Sequence, residues 1–225
     1  MVVVDLPGQG VQLHAYAHCL RTFGKHTHWL GFIDTDEFLV PKTAASLPEL
    51  LQNYRAYAGL AVSSFFFGSN GQVARPAAGQ ISAYTRRTHA TFQGNVLIKS
   101  IVQPQFVLQP TSPHDFAFVE NAVCVNEDRQ VVDGMKSSNH SQHIQLNHYF
   151  CRSESEIALK MARGRGDTGT SWRRSQYSVV NQQADLEDKT ILQILAAKLA
   201  AAGLAAEELV SQPLSAGLLP QLAAL

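Results

Sequence analysis

Residues 29–38 read Trp29-Leu30-Gly31-Phe32-Ile33-Asp34-Thr35-Asp36-Glu37-Phe38, an apolar run that turns acidic within one step. That is the pattern of a central strand of an α/β sheet that ends at a site. The pattern predicts a buried strand from Trp29, with Asp34 and Asp36 on one side because side chains alternate along a strand. Two carboxylates at a buried strand end are costly if left unpaired. A divalent cation relieves that cost, and Mg²⁺ or Mn²⁺ is commonly held by one or two carboxylates plus substrate phosphates. A solvated acidic turn after a core strand is the competing reading, and the D-x-D spacing alone leaves both open.

Upstream, Val2–Val4 is a β-branched run that predicts a buried strand. Val11, Ala15, Cys19 and Thr22 recur at helical spacing ahead of Gly24, a residue suited to the position just past a helix end. Downstream, Ser46-Leu47-Pro48-Glu49 is a capping-box pattern that predicts a helix to about Tyr57. Leu60–Phe67 reads as a strand and residues 68–80 as loop. Further strands are expected over Ile81–Thr88, Val96–Val102, Phe116–Val125 and Ile144–Phe150. Ser153-Glu154-Ser155-Glu156 opens a second capped helix that Gly164 stops, and an Ala/Leu-rich helix is expected from Leu186 to Ala202. The remainder to Leu225 is low in complexity and predicts a weakly packed tail. A composition shift near Gln183 divides the chain into a body, 1–183, and a helical extension, 184–225.

The 225 residues are 45% hydrophobic and 16% charged, enough apolar material for a real core. Eighteen basic residues balance eighteen acidic ones, so no global field favours nucleic acid. Three scattered cysteines make no CxxC pair, which excludes a cysteine zinc site and argues against a disulfide scaffold. No run approaches the length needed to span a bilayer, and the N-terminus lacks the basic and apolar regions of a signal peptide.

Six blocks, in order, resemble one family. WLGFIDTDEFLVP, FFFGSNGQVARP, Tyr84-Thr85-Arg86-Arg87, IKSIVQP with Lys99, NHYFCRS with His148, and Lys160-Met161-Ala162-Arg163-Gly164 are similar to the signature segments of glycosyltransferase family 92, also called DUF23. The resemblance covers about residues 9–167 and implies an α/β fold of GT-A type: a Rossmann-like mixed sheet flanked by helices. It implies transfer of a hexose, galactose being the best-known case, from a UDP-sugar to a glycan or other hydroxyl acceptor. On that resemblance, Asp34, Asp36 and His148 hold Mn²⁺ or Mg²⁺ on the donor diphosphate, and Lys99, His148, Lys160 and Arg163 bind the donor. A metal and nearby cations would stabilise the negative charge developing on the leaving group.

The residues also permit plainer assignments. Lys160 and Arg163, three apart, share a helix face whether they clamp a diphosphate or merely favour the helix dipole. Residues 152–174 carry six basic side chains against three acids, and Gly164-Arg165-Gly166 suits a flexible lid. A base must take the acceptor's proton, and Asp115, Glu120 and Asp167 are candidates, with Asp115 and Asp167 carried forward. Glu37 is expected to support the site rather than ligate the metal. His114 falls where the family has a histidine. His140, His143 and His148 could alternatively form a metal site. Trp172 and Tyr84 could stack on sugar rings.

The family pattern places an N-E-x-x-[ILV] strand upstream of these blocks, and its absence from these 225 residues predicts weak nucleotide binding and slow transfer. An inactive sugar-binding relative of the enzymes is therefore the alternative. A HAD-type phosphatase is a further one, disfavoured because Phe38 stands where that motif needs Thr or Val. The family suggests a Golgi or secretory membrane if an upstream anchor exists, and the cytoplasm otherwise.

Overall fold

The computed structural model describes residues 2–203. The expected tail, and the part of the 184–225 extension past residue 203, lie outside the described residues. In chain order the elements begin α1 (Gln12–Phe23), β1 (Leu30–Gly31), β2 (Glu37–Pro41), α2 (Leu47–Leu51) and β3 (Gly59–Phe66). They continue with α3 (Gln80–Ala83), β4 (Arg86–Arg87), β5 (Ile98–Val102), β6 (Val107–Pro110), β7 (Phe116–Phe118), β8 (Cys124–Val125) and β9 (Val131–Val132). Last come β10 (Ile144–His148), α4 (Glu154–Arg163), α5 (Arg174–Gln183), β11 (Leu186–Glu187) and α6 (Thr190–Ala201). The fold is mixed α/β, a curled mixed sheet flanked by helices.

The central strand is β3, not the stretch before the acidic residues. All eight residues of β3 are buried, and it lies between β5, antiparallel, and β10, parallel. The order is β1-β5-β3-β10-β2, with β8 and β9 attached beside the start of β3. The predicted central strand from Trp29 is corrected to a two-residue strand, β1, at one end of that order. Its apolar residues pack sideways onto a helix: Leu30 and Phe32 join Tyr16 of α1, with the Tyr16 and Phe32 rings 4.3 Å apart. Apolarity there serves helix-on-sheet packing, which a linear pattern cannot tell from a buried central strand.

Other expectations change too, among them the strand over Phe116–Val125, which breaks into β7 and β8. Val2–Val4 are exposed coil, because a β-branched run forms a strand only where a partner edge is offered, and none of the described residues pairs with it. The stretch Ile81–Thr88 divides into α3 and β4, and β4 pairs with β11, so the last helix starts at Thr190 rather than Leu186. Asp188 fixes that start by accepting the Thr190 N–H at 2.9 Å. Gly24 has ordinary helical φ of −56°, and α1 runs on into a 3₁₀ turn. Its lack of a side chain matters for another reason: a Cβ there would lie 2.9 Å from Pro104 Cβ.

The Ser153 capping box forms in full, while at Ser46 only the cap half forms and the glutamate reaches one residue further back. Ser46 accepts the Glu49 N–H at 3.3 Å, and Glu49 Oε2 accepts the Ala45 N–H at 3.0 Å. A 3₁₀ turn then ends at Tyr54, short of the expected Tyr57. Ser153 caps α4 through the Glu156 N–H, and Gly164, at φ +81°, stops it after Arg163. No helix among the described residues is long and apolar enough to cross a membrane.

Candidate functional site

The acidic stretch is a turn, closed from both ends. The Glu37 N–H donates to Asp34 O at 3.0 Å, and the Asp34 N–H donates to Glu37 Oε2 at 2.9 Å. The turn carries the chain from β1 at one end of the sheet order to β2 at the other. Register then sets the chemistry. Glu37 on β2 faces His148 on β10, which faces Phe66 on β3. Residues directly opposite across strands bring their side chains together. His148 Nδ1 thus lies 3.8 Å from Glu37 Oε1, and its ring centroid 4.8 Å from that of Phe66.

These residues line a cleft of about 720 Å³, within the usual size for a small-molecule site. Around it stand Asp34, Asp36, His114, His148, Lys160, Arg163 and Asp167. The anticipated gathering of Asp34, Asp36, His148, Lys160 and Arg163 is therefore seen, drawn from one turn, one strand end and one helix.

Each carboxylate of the turn already has a cation from far along the chain. Lys160 Nζ donates to Asp36 Oδ2 at 2.7 Å, with both side chains buried. Lys99 Nζ lies 3.3 Å from Asp34 Oδ2 and 3.1 Å from Glu37 Oε2. Lys99, expected to bind the donor, is only 2% exposed, is not among the residues lining the cleft and serves as a shared counter-ion for Asp34 and Glu37. Burial, with the negative charge of Asp34 beside it, pushes the Glu37 carboxyl up to about 7 against the pull of Lys99. Burial alone would raise Asp36, but the neighbouring His148 and the Lys160 ammonium that donates to it outweigh that and hold the carboxyl below its ordinary value. Burial, helped by Lys160, takes His148 down to about 4 despite Asp36. At neutral pH His148 is therefore an uncharged imidazole with a lone pair to give.

Other predicted residues separate. Asp167 lines the cleft but is held by Arg165 through two bonds of 2.9 and 2.7 Å, and that pairing keeps it below the usual carboxylate range. Asp115 and Glu120 are not on the cleft wall, and Asp115 instead accepts from Thr111 Oγ1 at 3.2 Å. His114 is on the wall, its Nδ1 2.7 Å from Ile98 O. His140 pairs with Asp128 and His143 with Thr43, so the two do not join His148 in a metal site. Trp172 lines the cleft with Arg165 over its ring at 4.7 Å, whereas Tyr84 is core and donates to Glu156 Oε2 at 2.8 Å. The sequence pattern missed Gln12, which donates to Asp34 Oδ1 at 3.1 Å. Its place one helical turn before Tyr16 was the available signal.

Asp36 and His148 are the side chains that could hold a divalent cation. Among the described residues no three or more His, Cys, Asp or Glu side chains already form a metal cluster. One or two carboxylates suffice, however, when substrate phosphates and water complete the shell. Asp36 gives Oδ2 to Lys160, while Oδ1 faces His148 Nε2 at 3.9 Å. That is beyond hydrogen-bond reach, but within the span of two ligands on one ion with bonds of about 2.1 Å. Glu37 beside Nδ1 would orient the ring, as carboxylates behind ligating histidines do.

A glycosyltransferase family 92 protein of Oryza sativa subsp. japonica is 31% identical over 147 residues, 64% of this chain. The match takes in 23% of that protein, so the chain spans about a quarter of the length of the curated relative. The profile of glycosyltransferase family 92 matches residues 9–194, a span that holds every cleft residue from Gln12 to Val180. This chain belongs to glycosyltransferase family 92.

Proposed function

We propose that the chain transfers a hexose, with galactose the first candidate, from a UDP-sugar to a hydroxyl on a glycan, and that a divalent cation assists. The observation that carries this reading is the meeting of the turn carboxylates with Arg152, Lys160, Arg163 and Arg165 around one cleft. A leaving nucleoside diphosphate gains negative charge, and fixed cations in a sheltered cleft stabilise it without reorganising. Asp36 Oδ1 and His148 Nε2, with Asp34 beside them, would hold Mn²⁺ or Mg²⁺, which when bound neutralises the diphosphate. Lys160 orients Asp36, and Arg163 and Arg165 reach the cleft from the end of α4 and the loop after it. Arg152 Nε and Trp172 Nε1, both on cleft residues, are buried with no hydrogen-bond partner among the described residues. Such orphan donors cost about 1–3 kcal/mol each, a cost that oxygens of a bound ligand can relieve.

Calorimetric titration of UDP with and without Mn²⁺ tests the reading. Wild type should bind UDP at least tenfold more tightly with Mn²⁺, and His148→Gln should erase most of that gain while melting as a folded protein. Equal UDP affinity in Mn²⁺ and in chelator would refute the cation's part. No UDP binding under either condition would refute the donor assignment.

A further inference from the structure

We propose that His114 is the base that takes the proton from the acceptor hydroxyl, an assignment that rests on the sugar-transfer reading above. Its ring is locked in one tautomer. Nδ1 lies 2.7 Å from Ile98 O, and a carbonyl oxygen can only accept, so Nδ1 carries the hydrogen. The lone pair is therefore on Nε2. Among the described residues no group is hydrogen-bonded to that nitrogen, and the residue lines the cleft. The loop holds the ring in place: Ser112 Oγ accepts from both the His114 and Asp115 N–H groups, at 3.1 and 3.0 Å. A fixed tautomer with an uncommitted basic nitrogen, on a residue that lines a cleft, is the arrangement that catalytic histidines require.

The other bases of the cleft are committed. Asp34 and Asp36 are paired with Lys99 and Lys160. Glu37, with its side chain only 2% exposed, is shared between Lys99 and the Asp34 N–H. Asp167 gives both oxygens to Arg165. His148 Nε2 faces Asp36. Burial, with Lys99 nearby, holds His114 below its ordinary value and so favours the uncharged ring.

The step balances as a single displacement. An acceptor hydroxyl oxygen forms a bond to the anomeric carbon while the bond from that carbon to the β-phosphate oxygen breaks. The electron pair of the broken bond leaves with the nucleoside diphosphate. The hydroxyl proton passes to His114 Nε2, and the imidazolium later returns it to water.

The test measures UDP release from UDP-galactose with Mn²⁺ on the full chain, with a galactose-terminated oligosaccharide and with water alone as acceptor. His114→Asn can still donate to Ile98 O from its amide but carries no base. It should lose about 100-fold or more in rate, the lower end of what general base catalysis contributes, with UDP affinity unchanged within about twofold. The acid limb of the kcat/KM profile should vanish with it. Lys99, Asp34 and Asp167 are the charged groups that bear on the ring and remain in the variant. A rate within about threefold of wild type, or a parallel loss of UDP binding, would overturn the assignment. Nitrogen-15 NMR of the unaltered protein gives a second check, since a hydrogen on Nε2 rather than Nδ1 would also overturn it. If wild type binds UDP yet loses no acid limb and the Asn variant matches it, only the base assignment fails. If wild type neither binds UDP nor releases it from the donor, the sugar-transfer reading fails as well.

Discussion

Replacing Lys160 with Met should destabilise the protein through the carboxylate it leaves behind. Lys160 Nζ and Asp36 Oδ2 are 2.7 Å apart, and each side chain is only 8% exposed. At that distance, an effective dielectric of about 20 gives a gross attraction of about 6 kcal/mol. Desolvation of both groups offsets much of it, but the variant loses the attraction while Asp36 remains buried. Breaking one side of a buried pair costs about 3–5 kcal/mol, and the ammonium also leaves its place 4.8 Å from the Phe150 ring. Methionine fills the space of the stem and keeps contact with the Phe150 and Trp172 rings, so packing loss should be minor. In a chain of this size each kcal/mol moves the midpoint by about 2–4 °C, so Lys160→Met should melt roughly 6–20 °C lower. Asp36→Asn combined with Lys160→Met removes both charges and should recover more than half of that loss. The assay is thermal unfolding of wild type, both single variants and the double. A Lys160→Met midpoint within about 2 °C of wild type would refute the reasoning, as would a double variant melting as low as Lys160→Met.

Two further outcomes follow from other parts of the fold. Asp188 accepts from Arg87 at 2.6 Å, Gln145 at 3.2 Å and the Thr190 N–H at 2.9 Å. Burial would raise its carboxyl, but the Thr190 N–H and Arg87 outweigh it and hold the value low. A depressed carboxylate contributes stability that is present above its unfolded value of about 3.9 and is lost as pH falls through the lower folded value. Asp188→Asn should therefore cost roughly 2–4 kcal/mol at pH 7, with the gap to wild type closing in strong acid; urea unfolding at both pH values would show a constant gap if this is wrong. Gly164 sits at φ +81°, and a Cβ there would lie 3.2 Å from Thr170 O and 3.3 Å from Gly169 O. Gly164→Ala should cost about 1–3 kcal/mol and speed proteolysis of the loop before Trp172, and an unchanged cleavage rate and midpoint would count against a strained hinge there.

Much of the framework is local and so was legible in the sequence. Ser46 and Ser153 cap their helices because a hydroxyl, with a glutamate three residues on, satisfies free N–H groups without help from the rest of the chain. The strands over residues 59–66, 98–102 and 144–148 came from β-branched and aromatic runs, which suit a pleated, buried surface. The acidic turn, His148 and the basic end of α4 were visible as chemistry in need of partners, and the ordered blocks gave the family. Tertiary structure alone decided which partners. Asp36 meets Lys160 across 124 residues and Asp34 meets Lys99 across 65, pairings that no spacing encodes. Strand order decided the rest: it put β1 and β2 at opposite ends, made the 34–37 turn a crossing, and set Glu37 against His148. A linear pattern records which residues avoid water. It does not record which edge a strand joins, because that choice follows from burial and hydrogen bonding summed over the whole sheet.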